Sequence, residues 1–414
     1  MSSWRNLRLK DLCVDGGQYG LNVSAETYVQ SGVRLLRTTD ISSGVLTPEE
    51  SGVFVGDVPE ARFTLAAGDL LLSRSGTPPG QSYLVRPTDA GMTFAGYLVR
   101  FRPRSNVDPR FLAHVARSAP FQHTIQAESV ASTIQNFNAE RYANIRVAAP
   151  DFAQQCRIAD FLDAETAKLL RLERHSCRLT ELLEERKSAL ISACYTFAGA
   201  DEAQVVPLRR VVKRWIDYRG ATPEKTDSGI PLVTAKNIRD GRIDYEASRE
   251  YIAEDAYKDW MRRGLPETED VLLTTEAPLG QVAFISDTSV ALAQRVIVLR
   301  VHRDICSPEW VYWYLRSPQG QAELELRATG STALGIKADR LRGVPIPMPT
   351  LIESRRRLRS LSTQVAQIEG LHKKLVRQRT LVAERRQALI TAAVTGQFDV
   401  TTASGRNVSE GVSA

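Results

Sequence analysis

Two kinds of hydrophobic pattern alternate along this chain. Residues 1–150 and 200–350 hold short apolar stretches such as RLLRTTDI, LVRFRP and RVIVLRVH, cut by Gly and Pro, which predict strands joined by turns. From Gln154 to Leu190, and again from Glu353 to Leu389, proline is absent and apolar residues return at every seventh position. Positions 162, 169, 176, 183 and 190 read Leu, Leu, Ser, Leu, Leu; positions 361, 368, 375, 382 and 389 read Leu, Ile, Leu, Val, Leu. Ile158, Leu172, Leu179, Leu358, Val365 and Leu371 supply the other half of a coiled-coil stripe. Two long helices follow, each a rod of roughly 55 Å at about 1.5 Å per residue. Either each helix packs along its own domain or the two pair antiparallel. Length favours pairing, because domain helices average about 11 residues.

The chain is also written twice. STIQNFNAERYANIRVAAP (132–150) lies over STALGIKADRLRGVPIPMP (331–349) at a spacing of 199, and GVRLLRTTDISSGVL (32–46) over GIPLVTAKNIRDGRI (229–243) at 197. GDLLLSRSGTPPGQ matches EDVLLTTEAPLGQ, and Ala95 falls opposite Ala293. A period near 200 far exceeds the roughly 20 to 50 residues of a solenoid or propeller repeat, so each copy should be a domain in its own right. Each copy predicts a helix with a cap and an initial proline, Asp108 with Pro109 and Ser307 with Pro308. Each then closes on a Pro-bounded extended segment, Asn144 to Pro150 or Gly343 to Pro349. The expected fold class is α+β: two similar mixed α/β domains separated by two long helices that form an antiparallel coiled coil, with pseudo-two-fold symmetry. The boundaries read as 1–150 and 200–350 for the domains, 151–199 and 351–400 for the helices, and 401–414 for a disordered tail. A tandem pair of this kind suits a partner with two related surfaces, such as duplex DNA.

Composition narrows the class. With 43% hydrophobic and 25% charged residues the chain is ordinary globular protein. No apolar run approaches the roughly 18 residues of a membrane span, and MSSWRNLRLKDL has no signal-peptide stretch, so a cytoplasmic location is expected. Cys13, Cys156, Cys177, Cys194 and Cys306 are odd in number and scattered, which reads as reduced thiols rather than a disulfide or zinc framework.

Charge is uneven. The second long helix carries ten Lys/Arg against three acids, a net of +7, whereas the first balances seven against seven. The whole chain is +6, so the rest nets −1. If the domains touch nucleic acid they do so through local patches and hydrogen bonds rather than bulk field. The basic helix fits an acidic partner, the DNA backbone or simply a solvated face.

Catalytic apparatus is scarce. Phosphate-binding GxxxxGK[ST], dinucleotide GxGxxG, HExxH and GxSxG words are absent, as is an Asn-Pro-Pro-aromatic methyltransferase word, and the five histidines are isolated from one another. Asp270 and Glu276 stand beside a strand without the nearby lysine of a metal nuclease, and read as solvated or as partners of donors. Neither a catalytic residue nor a metal site is expected.

Two domains, each followed by a long helix, with the second ending ERRQALITAAVTGQFDV and the first ERKSALISACYTFAG, resemble the specificity subunit of type I restriction-modification systems. GDLLLSRSG (68–76) and GVRLLRTTDI (32–41) add to the likeness, which spans the chain; CYTFAG departs from the family's AVTG-type close. The resemblance implies a subunit without catalysis of its own, whose globular target recognition domains each read half of a bipartite, asymmetric DNA site. The helices would set the gap and dock a pair of methyltransferase subunits, and the assembly would recruit an ATP-dependent restriction and translocase subunit. No cofactor is implied for this chain; S-adenosylmethionine, ATP and Mg belong to those partners. The other reading left open is a coiled-coil adaptor of a different bacterial assembly.

Given that resemblance, polar residues in Gly-flanked loops are the candidate DNA contacts. These are Arg37 and Thr38 with Thr39 and Asp40; Thr234, Lys236 and Asn237; Arg74, Ser75 and Gln81 opposite Thr274, Thr275 and Gln281; and Asn136 and Asn138 opposite Lys337. Arg37, Arg74 and Lys337 have the donors for guanine N7/O6, and Gln81, Asn136, Asn237 and Gln281 the amides for adenine. Each has a plainer reading as a turn-stabilising or solvated residue, Thr39, Asp40 and Asn237 above all. Leu162, Leu169, Leu183, Leu190, Leu361, Ile368, Leu375, Val382 and Leu389 are the expected core of the helix pair.

Overall fold

The computed structural model describes residues 4–75, 79–130, 136–199, 203–218, 222–330 and 334–400; the expected tail, 401–414, lies outside them. The architecture is α+β. By internal contact the chain divides into Met1–Cys177 with Val376–Ala414, and Arg178–Leu375. Each unit therefore holds one globular part, half of one long helix and the opposite half of the other.

In the first unit a four-stranded antiparallel sheet runs in the order Gln18–Tyr19, Leu98–Phe101, Leu70–Ser73, Ser82–Leu84. A three-stranded sheet places Val33–Leu36 between Val53–Val55 and Thr93–Phe94, the last pairing parallel. Arg5–Arg8 pairs with Arg146–Ala149. The second unit repeats all three. Val212–Asp217, Val296–Val301, Val271–Thr274 and Val282–Phe284 form the four-stranded sheet. Ile230–Val233 lies between Tyr251–Ile252 and Ala291–Leu292, and Gln204–Pro207 pairs with Pro345–Met348.

The central strand of each four-stranded sheet is buried on both faces. Leu70 and Leu72 enter one apolar cluster while Leu71 enters another, and Val271 and Leu273 part from Leu272 in the same way. The period-two alternation of a strand therefore feeds two cores, and a continuous apolar run results.

Helices cover one of those cores. Pro109–Arg117 and Pro308–Arg316 both begin with proline at a first-turn position, where no intrahelical amide is required. Asp108 caps the first through the amides of Arg110 and Phe111, but the Ser307 side chain accepts no cap bond, so that expectation holds only for position and not for chemistry. The pairing of Asp69 with Arg102 (2.7 Å twice) recurs as Asp270 with Arg300 (3.0 and 2.7 Å). Gln122 bonds the carbonyls of Gly80 and Ala116, and Gln321 those of Gly280 and Leu315. Duplication thus reaches individual hydrogen bonds.

The long helices are Phe152–Cys194 (43 residues) and Leu351–Val394 (44 residues), each nearly two turns longer than the heptads alone predict. Within the first unit Phe161 meets Phe398 (5.6 Å between centroids) and Glu173 meets Arg386 (3.4 Å). Within the second, Lys187 meets Glu369 (3.0 Å) and the Arg357 guanidinium bonds the Cys194 carbonyl (3.1 Å). In both units advance along one helix matches retreat along the other, the antiparallel sense. Leu162, Leu169, Leu361, Ile368 and Leu389 are buried; Leu183, Leu190, Leu375 and Val382 are half-buried. The supplementary stripe is narrower than expected: Ile158, Leu358 and Val365 are buried, but Leu172, Leu179 and Leu371 are 46%, 50% and 50% exposed. Two helices can enclose only one seam, and positions just outside it stay wet.

Candidate nucleic-acid interface

The turn after the strand Val33–Leu36 is closed by Asp40, only 2% exposed, which accepts the Arg37 amide (2.8 Å) and both arms of the Arg37 guanidinium (3.0 Å each). Burial pushes the Asp40 carboxyl up, but the Arg37 side chain and amide outweigh it and hold the group below its ordinary value. Arg37 is therefore committed to its own turn, with Thr38 half-buried beside it.

The second unit builds the same turn with an amide. Asn237, 1% exposed, accepts from the Thr234 amide and hydroxyl (2.9 Å each) and donates to the carbonyls of Asp244 (2.9 Å) and Ser248 (2.8 Å). Both amide hydrogens and the oxygen are in use, which corrects the expectation that Asn237 reads adenine. Lys236, at the position matching Thr39, is exposed.

Around the next strand-turn the structure gathers residues far apart in sequence. Arg74 donates from Nε to Asn136 Oδ1 (3.2 Å) and lies over the Tyr19 ring (5.1 Å), while Ser75 bridges to Asn136. The Arg74 amide bonds the carbonyl of Tyr97, which is 63% exposed. Asn138 is exposed but uses its side chain to cap Ala139–Asn144 through the Arg141 amide (2.9 Å). Gln81 is half-buried and lines a separate cavity.

Thr274 and Thr275 occupy the corresponding place in the second unit at 0% and 1% exposure. The Thr274 hydroxyl donates to the Pro278 carbonyl and accepts the Gln281 amide (2.9 Å); the Thr275 hydroxyl donates to Arg295 (3.3 Å to its carbonyl). Neither can reach a base edge in this conformation, a second correction: Thr274 ends a strand buried on both faces, and Thr275, just past it, is held against Arg295 by its amide as well (2.8 Å). Gln281 is half-buried, and Lys337 is exposed at a cap position without a cap bond. What sequence reasoning missed here is Arg295, at positive φ, whose amide-bonded position matches Tyr97. Its guanidinium pairs with Glu276 (3.0 Å). Arg295 shares a cavity of about 240 Å³ with Thr234, Lys236, Lys225, Gln294 and Glu250. Asp270 and Glu276 are thus partners of arginines.

Cys13, Cys194 and Cys306 are buried, and the five thiols are free. Burial pushes the Cys306 thiol to about 12. Among the described residues no group of three or more His, Cys, Asp or Glu side chains could hold a metal, and no helix is long and apolar enough to cross a membrane.

No family model matches the chain. Its sequence is 18% identical to the specificity subunit of the type I restriction enzyme EcoBI from Escherichia coli, across 96% of this chain and 86% of that one. It is 18% identical to the EcoKI specificity subunit of Escherichia coli strain K12, across 74% and 69%. Among solved structures, a chain from the work on assembly and conformational transition of the type I restriction-modification system superposes with TM-score 0.74 at 19% identity, covering 96% of this chain and 98% of that one. The HsdS subunit of Thermoanaerobacter tengcongensis superposes with TM-score 0.55, also at 19% identity, covering 96% and 97%. In sequence and in fold, over nearly its whole length, this chain is similar to type I restriction specificity subunits, as its closing helix words and duplication lead one to expect.

Proposed function

We propose that this chain is the DNA sequence-specificity subunit of a type I restriction-modification complex and has no chemistry of its own. In this reading residues 1–150 and 200–350 each recognise one half of a bipartite, asymmetric site. The long helices fix the interval between the halves and dock methyltransferase subunits, which carry S-adenosylmethionine, while ATP and Mg serve the restriction and translocase subunits.

One observation carries the reading. The two globular parts keep the same sheets and even the same side-chain hydrogen bonds, yet differ at equivalent positions around the same strand-turn: Arg74 against Thr275, Ser75 against Glu276, Asn136 against Gly335, Asn138 against Lys337, Tyr97 against Arg295. A shared scaffold with unlike tips is what two different half-sites require, since direct readout resides in donor and acceptor patterns at the contact points. Of the candidates, Lys236 and Lys337 are exposed, with no side-chain bond closing a turn or cap among the described residues, and Arg74, Ser75 and Asn136 form one half-buried cluster beside the exposed Tyr97, which supports reading them as the first contacts; Thr38, Gln81, Asn138, Thr234 and Gln281 are secondary, being half-buried or engaged in caps and turns away from that cluster.

Mapping adenine methylation across a host genome, with and without this gene, tests the proposal. A gene-dependent motif of two unlike half-sites separated by a fixed run of unspecified bases supports it. A gene-independent methylome, in a host where the cognate methyltransferase is expressed, overturns it.

A further inference from the structure

The first unit contains a cavity of about 360 Å³ where the helix Pro109–Arg117 faces both long helices. Two arginines, Arg117 and Arg386, line it, together with His114, Gln81 and Ser82, and no carboxylate does so among the described residues. Arg117 is largely enclosed. Its Nε reaches the Ser82 hydroxyl only at 3.4 Å, and it makes no ion pair among the described residues. Gly44, at φ 72°, packs so closely that an added Cβ would lie 2.8 Å from the Arg117 guanidinium. Arg386 has one long ion pair, to Glu173 at 3.4 Å, and the nearby Asp163 is taken by His114 (2.8 Å) and Arg110 (3.3 Å). Burial first, and then the like charge of Arg386, push the Arg117 guanidinium below its ordinary value.

An enclosed guanidinium without an ion pair is costly, the attraction of Asp163 offsets only part of the burial and of the repulsion from Arg386, and a second guanidinium lining the same space adds to the cost. The duplicated unit shows how the same positions look when they are satisfied. Arg316, matching Arg117, is stacked over Tyr312 and Trp313 (5.0 and 4.7 Å), and Lys187, matching Arg386, is paired with Glu369 at 3.0 Å. In the first unit both cations line the cavity, Arg117 with no ion pair among the described residues and Arg386 with only the long one to Glu173.

We infer that this cavity is a binding site for a phosphate-class oxyanion, held between Arg117 and Arg386 with the Gln81 amide and Ser82 hydroxyl as further contacts. Two forks approaching from different helices suit a tetrahedral ion with more than two acceptor oxygens, whereas a carboxylate is satisfied by one fork. The phosphate comes either free from solution or as part of the DNA backbone.

Isothermal titration of the full chain with inorganic phosphate, at constant ionic strength against chloride, tests the site. Saturable binding is expected, weakened by about tenfold or more in Arg386→Gln, the loss of one charge-assisted contact, and unaltered in Arg316→Gln. Arg117→Gln is a second variant, expected to lose the same binding, and circular dichroism of both checks the fold; Arg386→Gln, whose side chain is 35% exposed and holds one long ion pair, disturbs it less. Duplex binding then separates the sources: competition by phosphate together with weaker DNA binding in Arg386→Gln assigns the anion to the backbone, and unchanged DNA binding assigns it to a free ion. Absence of saturable phosphate binding, or equal binding by wild type and Arg386→Gln, overturns the inference whatever becomes of the DNA-specificity reading.

Discussion

Replacing Asn237 with alanine should unfold a turn rather than erase a contact with DNA. The side chain holds four hydrogen bonds of 2.8 to 2.9 Å, two from Thr234 in the turn after Ile230–Val233 and two to the carbonyls of Asp244 and Ser248 further along the chain. Each is worth about 1 kcal/mol net, and the groups left behind are half-buried, so water restores part of the loss. A destabilisation of about 2–4 kcal/mol is expected, confined to the second unit. Four of the five tryptophans lie in that unit, so fluorescence-detected urea unfolding follows it selectively. Lys236→Ala is the companion: the residue is exposed, so stability should stay within about 0.5 kcal/mol while binding of the cognate duplex by the assembled methyltransferase weakens by about fivefold or more. If Asn237→Ala leaves the unfolding curve in place and abolishes DNA binding, Asn237 is a reader and the turn account is wrong.

Other consequences follow from the same geometry. Leu72→Ala and Leu272→Ala, both at 0% exposure in the central strands, should each cost about 2–5 kcal/mol in urea unfolding of their own unit, and a smaller loss would mean the two-faced burial is not rigid. Asp40 is held low in the folded state, so its contribution is complete above the ordinary carboxylate value of 3.8 and drains away as pH falls through the depressed folded value. The stability gap between wild type and Asp40→Asn should therefore shrink on acidification, and a gap independent of pH would contradict the Arg37–Asp40 pairing. Arg74→Ala should relax base preference in one half-site only, read by methylation mapping, because Arg74 has no cationic counterpart at Thr275; loss of both half-sites would count against separate readers.

Much of this architecture was legible because it obeys local rules repeated at one spacing. Heptads without proline, proline after a cap position, and Pro-bounded closing strands each restrict the backbone directly, and their recurrence near 199 residues exposed the duplication. The candidate contacts were less legible. Thr274 and Thr275 look like polar loop residues, but pairing of Val271–Thr274 with Val296–Val301 takes Thr274 into the sheet, the Thr275 amide bonds the Arg295 carbonyl, and both are buried. Tyr97 and Arg295 gave no signal, because they reach the turn only through bonds to residues 23 and 20 positions earlier, Arg74 and Thr275. Asp40 and Asn237 show the converse: a short polar side chain three residues after an arginine or threonine is a turn lock that sequence suggests and burial decides.

The claim that two unlike readers are held at a measured interval is tested most directly by shortening the ruler. One helical turn, about four residues, is removed from the matching middle of both long helices, and the methylated motif of the variant is mapped beside that of wild type. The account predicts that both half-sites keep their sequences while the interval between them changes. An unchanged interval, in a variant that still methylates DNA, would contradict it.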